Sequence, residues 1–144
     1  MKGGAVNNFS TSLVIRKNKT STKLQHQPDF RMPLRGSTRN EEVIEICERV
    51  QDIISACFAI SGRDLRDTRR SRAEIARARQ IGMYLAHVTI GLQMQEVGDG
   101  FQRDRSTVAH ACHVVEDLRD DPDFEDVLQM IEQIIEAAFA PVRR

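Results

Sequence analysis

At 144 residues, with 40% hydrophobic and 5% aromatic content and no Trp, the chain suits one domain with a modest core, and it lacks the aromatic side chains that strands favour. Its formal net charge of zero hides an uneven distribution: residues 1–40 carry eight basic groups against Asp29 alone, whereas residues 41–144 carry thirteen arginines, no lysine and twenty acids. Cys47, Cys57 and Cys112 form no C-x-x-C pair and argue against a disulfide framework, no apolar run nears the ~20 residues of a membrane helix, and no secretory h-region is evident, so a reducing, cytoplasmic setting away from membranes is expected.

Residues 1–40 are rich in Asn, Ser, Thr, Lys and Gly, hold Pro28 and Pro33, and show little periodicity. They read as a flexible basic tail, able to add nonspecific phosphate contacts. From Glu41 the pattern turns helical, with Val43, Ile46, Cys47, Val50, Ile53, Ile54, Cys57 and Phe58 at spacings of three and four. Glu41, Glu42 and Glu45 favour the positive end of that helix, and Gly62 stops it. A basic connector follows, "GRDLRDTRRSR", with one helical turn expected around Asp64–Asp67.

Ser71 and Glu74 have the S-x-x-E spacing of a capping box, which predicts a helix start there. Ile75, Ala78, Ile81, Gly82, Leu85 and Val88 form its buried stripe, and it ends near Gly91. A third, shorter helix begins near Gln95, with Val97 and Phe101 inward and Gly98 allowing a close approach. After a tight turn at Gln102–Arg103 comes "DRSTVAHACHVVEDL", Asp104–Leu118. One face of this segment carries Val108, Cys112, Val115 and Leu118. The other carries Arg105, Ser106, His110 and His113, a set of hydrogen-bonding groups unlike the Glu and Lys of a merely solvated face.

Asp120 or Asp121 before Pro122 starts the last helix, whose apolar face is Phe124, Val127, Leu128, Ile131, Ile135, Ala138 and Phe139; Pro141 marks its end. Residues 116–136 hold nine acids and one Arg, a solvated face or a surface for the basic tail or a protein partner. Five helices and no strand predict an all-α fold, a helical bundle with a C-terminal amphipathic helix. Three parts are expected: the tail 1–40, a helical domain 41–119, and an acidic helix 120–144 packed on it.

No G-x-x-x-x-G-K-[ST] loop and no H-E-x-x-H is present. His110, Cys112 and His113 lie close in sequence, but Cys112 belongs to the apolar face and no second ligand pair has useful spacing. A non-enzyme without metal or cofactor is therefore expected. What remains is a helix, a tight turn and a second helix, the proportions of a helix-turn-helix, whose second helix enters the DNA major groove. Arg105 suits bidentate bonding to a guanine edge, and Ser106 and Thr107 suit bases or phosphates.

"RRSRAEIARARQIGMYLA" (69–86), followed by "QEVGDGFQRDRSTVAHAC" (95–112), resembles the C-terminal DNA-binding domain of the bacterial chromosomal replication initiator DnaA, and "DLRDTRRS" resembles that family's basic run. The similarity covers about residues 43–119, with both motifs in the family's order. It implies a Trp-repressor-like helical bundle that recognises a short, nonpalindromic duplex element, the DnaA box, as a monomer. It also implies site residues. Arg77 matches an Arg that reaches into the minor groove, and Asp104, Arg105, Ser106 and Thr107 match the major-groove readers. Arg69, Arg70, Arg72 and Arg79 lie in the segment that meets phosphates, with Gln80, His110 and His113 near this surface.

The chain departs from the family in four ways. Arg105 stands where the family usually has His, and the turn before Asp104 is one residue shorter and lacks a glycine pair. His113 and Val114 replace basic residues, and the ATPase domain is absent from this sequence. Two functions are consistent with these features: a stand-alone, sequence-selective duplex DNA-binding protein that regulates transcription or replication initiation, or a protein-interaction module that kept the fold without the DNA contacts. A monomer or weak oligomer is expected.

Overall fold

A computed structural model describes residues 38–69 and 71–140 of the chain. The expected tail up to residue 37, Arg70 and the helix stop at Pro141 lie outside those residues. Helix α1 spans Arg39–Phe58. Thr38 caps it: Glu41 N donates to Thr38 Oγ1 at 3.4 Å, and Thr38 N donates to Glu41 Oε2 at 2.9 Å. This reciprocal pair satisfies two otherwise orphaned donors, so the helix begins two residues before the first of its acids. Its inward face is Val43, Cys47, Val50 and Ile54, and burial pushes the Cys47 thiol up to about 12.

The connector folds into a five-residue helix, α2 (Gly62–Arg66), capped by Ser61 Oγ, which accepts from Asp64 N at 3.2 Å. The single turn expected around Asp64–Asp67 thus starts two residues earlier and ends one residue earlier. The described residues hold six helices and no strand, not five helices. Of α2 only Leu65 is buried.

Helix α3 (Ala73–Val88) is the centre of the fold. Ile81, Gly82, Met83, Tyr84, Leu85 and Ala86 are buried in unbroken succession, which a helix reaches only when it is covered on all sides. The expected stripe captured half of this burial and missed Met83, Tyr84 and Ala86. Two further expectations are corrected here. The Ser71–Glu74 capping box does not form: Arg72 occupies the N-cap position without a side-chain bond, and Ser71 Oγ instead accepts from Arg79 Nη1 at 3.4 Å. Val88 is 50% exposed, because α3 ends there and the chain turns away through Gly91 at φ +88°.

Helix α4 (Met94–Phe101) starts where Gln93 N donates to Glu96 Oε2 at 2.9 Å, and it buries Val97, Gly98 and Phe101. Helix α5 (Arg105–Leu118) buries Val108, Ala111, Cys112 and Val115, and helix α6 (Pro122–Phe139) buries Phe124, Leu128, Ile131 and Ile135. Asp121 caps α6, accepting from Asp123 N at 2.9 Å and Phe124 N at 3.4 Å, with Pro122 at the first helical position. Each fully buried Leu or Ile of this kind contributes about 1.5–3 kcal/mol. α1 packs on α3 and α4, and α5 packs on both α3 and α4, so the α4–α5 pair is held from two sides. No helix among the described residues is long and apolar enough to cross a membrane.

Candidate nucleic-acid interface

The α4–α5 junction is built by three adjoining residues. Gln102 takes the left-handed conformation, φ 55° and ψ 46°, which reverses the chain at the end of α4. Arg103 N then donates to Gly98 O at 2.8 Å. Position 98 tolerates this closure only as glycine, since a Cβ there would lie 2.6 Å from the Arg103 carbonyl oxygen. Asp104 stands at the N-cap of α5 in extended conformation (φ −67°, ψ 150°), and its carbonyl accepts from Thr107 N at 2.9 Å and Val108 N at 3.2 Å. Its carboxylate takes no capping bond.

Asp104, Arg105, Ser106 and Thr107 are all exposed around the first turn of α5. His110 and His113 continue that exposed side at three- and four-residue steps from Ser106, while Val108, Ala111, Cys112 and Val115 face the core. The helix is therefore anchored by one face and presents an acid, a guanidinium, two hydroxyls and two imidazoles on the other.

The basic segment lies beside this turn. Its backbone is gripped from below by Arg79, which projects from α3 and is only 8% exposed. Arg79 Nε donates to Leu65 O at 2.8 Å, and Nη2 donates to Asp67 O at 3.0 Å and Asp64 O at 3.3 Å. These are carbonyls at and just beyond the C-terminal end of α2, where a helix leaves acceptors without partners and favours a cation. Burial, then the neighbouring Arg103, lowers the Arg79 pKa, but a guanidinium stays charged in proteins. Arg79 is expected in the segment that meets phosphates, with partial packing or pairing to an acid as the alternative at that position. The structure turns it inward because its position completes the apolar series Ile75–Arg79–Gly82–Ala86 on α3, spaced by four, three and four. That spacing was the signal available in the sequence.

Arg103, which sequence reasoning treated only as a turn residue, reaches the same segment from the other side. Its Nη2 donates to Asp67 O at 2.9 Å and its Nη1 to Thr68 O at 3.2 Å. The loop after α2 is thus brought against the α4–α5 turn. On the loop, Arg69 has an 83% exposed side chain, and its N and Nε donate to Asp67 Oδ1 at 2.8 and 3.2 Å. Arg72 is exposed at the head of α3.

Arg77 sits two residues before Arg79, hence about 200° around the helix from it. Its half-buried guanidinium donates to Gln80 Oε1 at 3.0 Å, and burial lowers its pKa. Among the described residues, no three His, Cys, Asp or Glu side chains gather as metal ligands.

Residues 47–115 match the model of a protein family described as the bacterial dnaA protein helix-turn-helix. The match begins within α1 and ends within α5, so it takes in α2, α3, α4, the turn and the exposed first turn of α5.

Proposed function

We infer, from the match of residues 47–115 to the bacterial dnaA protein helix-turn-helix family, that this chain binds duplex DNA and does so with sequence preference. The observation that carries the reading is the exposed Asp104–Thr107 turn on a helix whose opposite face is fixed in the core. Such a turn is narrow enough to enter the major groove, where each base pair presents a distinct pattern of donors and acceptors. Arg105 reads a guanine edge, Ser106 and Thr107 contact neighbouring bases or phosphates, and Asp104 accepts from a cytosine amine. Arg69, Arg70 and Arg72 meet phosphates on one flank, Arg77 enters the adjacent minor groove, and His110 contacts the backbone. Arg79 serves this surface indirectly, by shaping the loop that carries the phosphate-binding arginines.

The target in this reading is a short DnaA-box-like element bound by one copy of the chain. The biological role is regulation of transcription or of replication initiation. The test is fluorescence anisotropy of the purified chain with a DnaA-box duplex and a scrambled duplex across salt concentrations. Each phosphate-bound arginine adds about −0.9 to the log–log salt slope. Preference for the box of about tenfold or more, roughly 1.4 kcal/mol, supports inherited readout. Equal, salt-sensitive binding to both duplexes leaves a DNA-binding protein with a different target. Absence of binding at low salt overturns the reading and favours a protein partner.

A further inference from the structure

Thr68 and Asp67 belong to a stretch with little of its own to hold it in place. The side chains of residues 66–69 are exposed or half-exposed, and the last buried anchor before them is Leu65. Asp67 N returns to Arg63 O at 3.0 Å, and the Asp67 carboxylate is engaged with Arg69 inside the loop itself. Arg66, at its start, is tied to the first helix through Asp52 Oδ1 and Glu48 O. Beyond it, the holds at the Asp67 and Thr68 carbonyl oxygens that reach in from the rest of the fold are guanidinium bonds. Arg79 supplies them from α3, and Arg103 supplies them from the α4–α5 turn. The Asp67 oxygen receives both, at 3.0 and 2.9 Å, which uses its two lone pairs. Arg103 alone also takes the Thr68 oxygen. Its own backbone is held by the bond to Gly98 O, so the position of the turn is transmitted to the loop through a side chain fixed at its far end by a planar, two-pronged guanidinium.

We propose that Arg103 is a positioning residue: by gripping the Asp67 and Thr68 carbonyl oxygens, it sets the spacing between the loop arginines and the reading turn of α5. The proposal rests on the DNA-binding reading above. A duplex is a stiff template, so two contact elements bind it together only if their separation matches. A loop ordered in advance avoids the entropy of being ordered on binding. Arg103 Nη1 and Nη2 each direct an N–H at the loop in the free protein, and in this proposal its contribution to binding passes through Arg69 and Arg72.

The experiment combines amide hydrogen exchange of the full chain without DNA and duplex binding by anisotropy. Arg103→Ala is expected to speed exchange at residues 67–69 while the amides of α5 stay protected, and to weaken binding about tenfold, which corresponds to ~1.4 kcal/mol. Placed in an Arg69→Ala/Arg72→Ala background, the same change should cost less than about twofold, because the groups it positions are gone. Arg103→Lys keeps the charge without the fork and should restore neither the slow exchange nor the affinity. Unchanged exchange in Arg103→Ala overturns the proposal. So does an equal loss with and without the loop arginines, or full rescue by Lys, either of which makes Arg103 a direct phosphate contact. If the unmodified chain binds no duplex, the DNA reading fails, and the exchange experiment still decides whether Arg103 holds the loop.

Discussion

Arg119 Nη1 donates to the Tyr84 hydroxyl at 2.8 Å, and through that bond the central helix is joined to the C-terminal one. Tyr84 in turn donates to Glu116 Oε1 at 2.7 Å. The rest of the Arg119 guanidinium forks onto Glu125, both contacts at 2.8 Å, and reaches Glu132 Oε1 at 3.2 Å. A phenol that is 1% exposed thereby finds a donor and an acceptor, and two acids of α6 find a cation belonging to the α5–α6 junction.

Tyr84 is the sole tyrosine and the chain has no Trp, so phenolate absorbance reports on this one group. Burial, followed by its bond to Glu116, pushes its pKa up from 10.0 to about 12, with Arg119 opposing. Because the folded value lies above the unfolded one, Tyr84 adds stability that is fully present below about pH 10 and is lost as pH rises through about 12. A spectrophotometric titration, with helicity followed in parallel, should show little phenolate at pH 10. Ionisation there in a still-helical chain would contradict this placement. Tyr84→Phe removes a partner from both Glu116 and Arg119 and should cost about 1 kcal/mol.

Gly98→Ala sets a Cβ 2.6 Å from the Arg103 carbonyl, and both are held by backbone that cannot yield without opening the turn. Such overpacking is expected to cost about 3 kcal/mol, which lowers Tm by roughly 12–24 °C for a domain of this size. A Tm within a few degrees of the unmodified chain would mean that α4 and α5 meet less closely than described.

Gln102 and Ala59 close α4 and α1 in the left-handed region, at φ 55° and 52°, where glycine carries no Cβ penalty. Relief of roughly 1–2 kcal/mol per residue is partly offset by the greater freedom of glycine in the unfolded chain. Gln102→Gly and Ala59→Gly should therefore each raise Tm by a few degrees, and Gln102→Ile should lower it. A drop in both glycine variants would count against these backbone assignments.

Three carboxylates govern the acid side. Arg119 holds Glu125 below the usual range, Arg39 does so for Glu96, and the Arg69 backbone N–H does so for Asp67. A depressed folded pKa gives stability that is present above the unfolded value and lost as pH falls through the folded one. Melting temperature should stay level from about pH 7 to about pH 5 and then fall below roughly pH 4.5, and Arg119→Ala should flatten part of that fall. An unmodified chain as stable at about pH 3 as at neutrality would refute the assignment.

The two long-range arginines explain where sequence reading succeeded and where it stopped. The division of α5 was legible because Val108, Cys112 and Val115 repeat at helical spacing against a polar face, and the close approach at Gly98 followed from a glycine between inward Val97 and Phe101. The burial of Met83 and Tyr84 was not legible, since a stripe is the signature of a helix at the rim and α3 lies at the centre. Ser71 carried a sound capping signal, but its hydroxyl was taken by Arg79, eight residues on, and tertiary contact overrode local preference. Arg103 is more than thirty residues from its partners in sequence, so nothing at its own position announced the loop it holds.

In the proposed DNA-binding reading, Arg105 is the residue on which target choice turns. It is exposed at the start of α5, beside an Asp104 carboxylate that takes no capping bond, and it stands where the resembling family usually has His. A longer, permanently charged fork prefers the two acceptors of guanine, whereas a neutral imidazole offers a single donor at shorter reach. Arg105→Ala should cost ~1–3 kcal/mol on the best duplex and relax preference at one base pair. Selection from a random duplex library is the direct measurement: the unmodified chain and Arg105→His should yield elements that agree everywhere but at that position, with the His variant moving toward the family's box. Identical elements from both proteins would remove Arg105 from the reading turn. A uniform loss of affinity across all sequences would reassign it to the phosphate backbone.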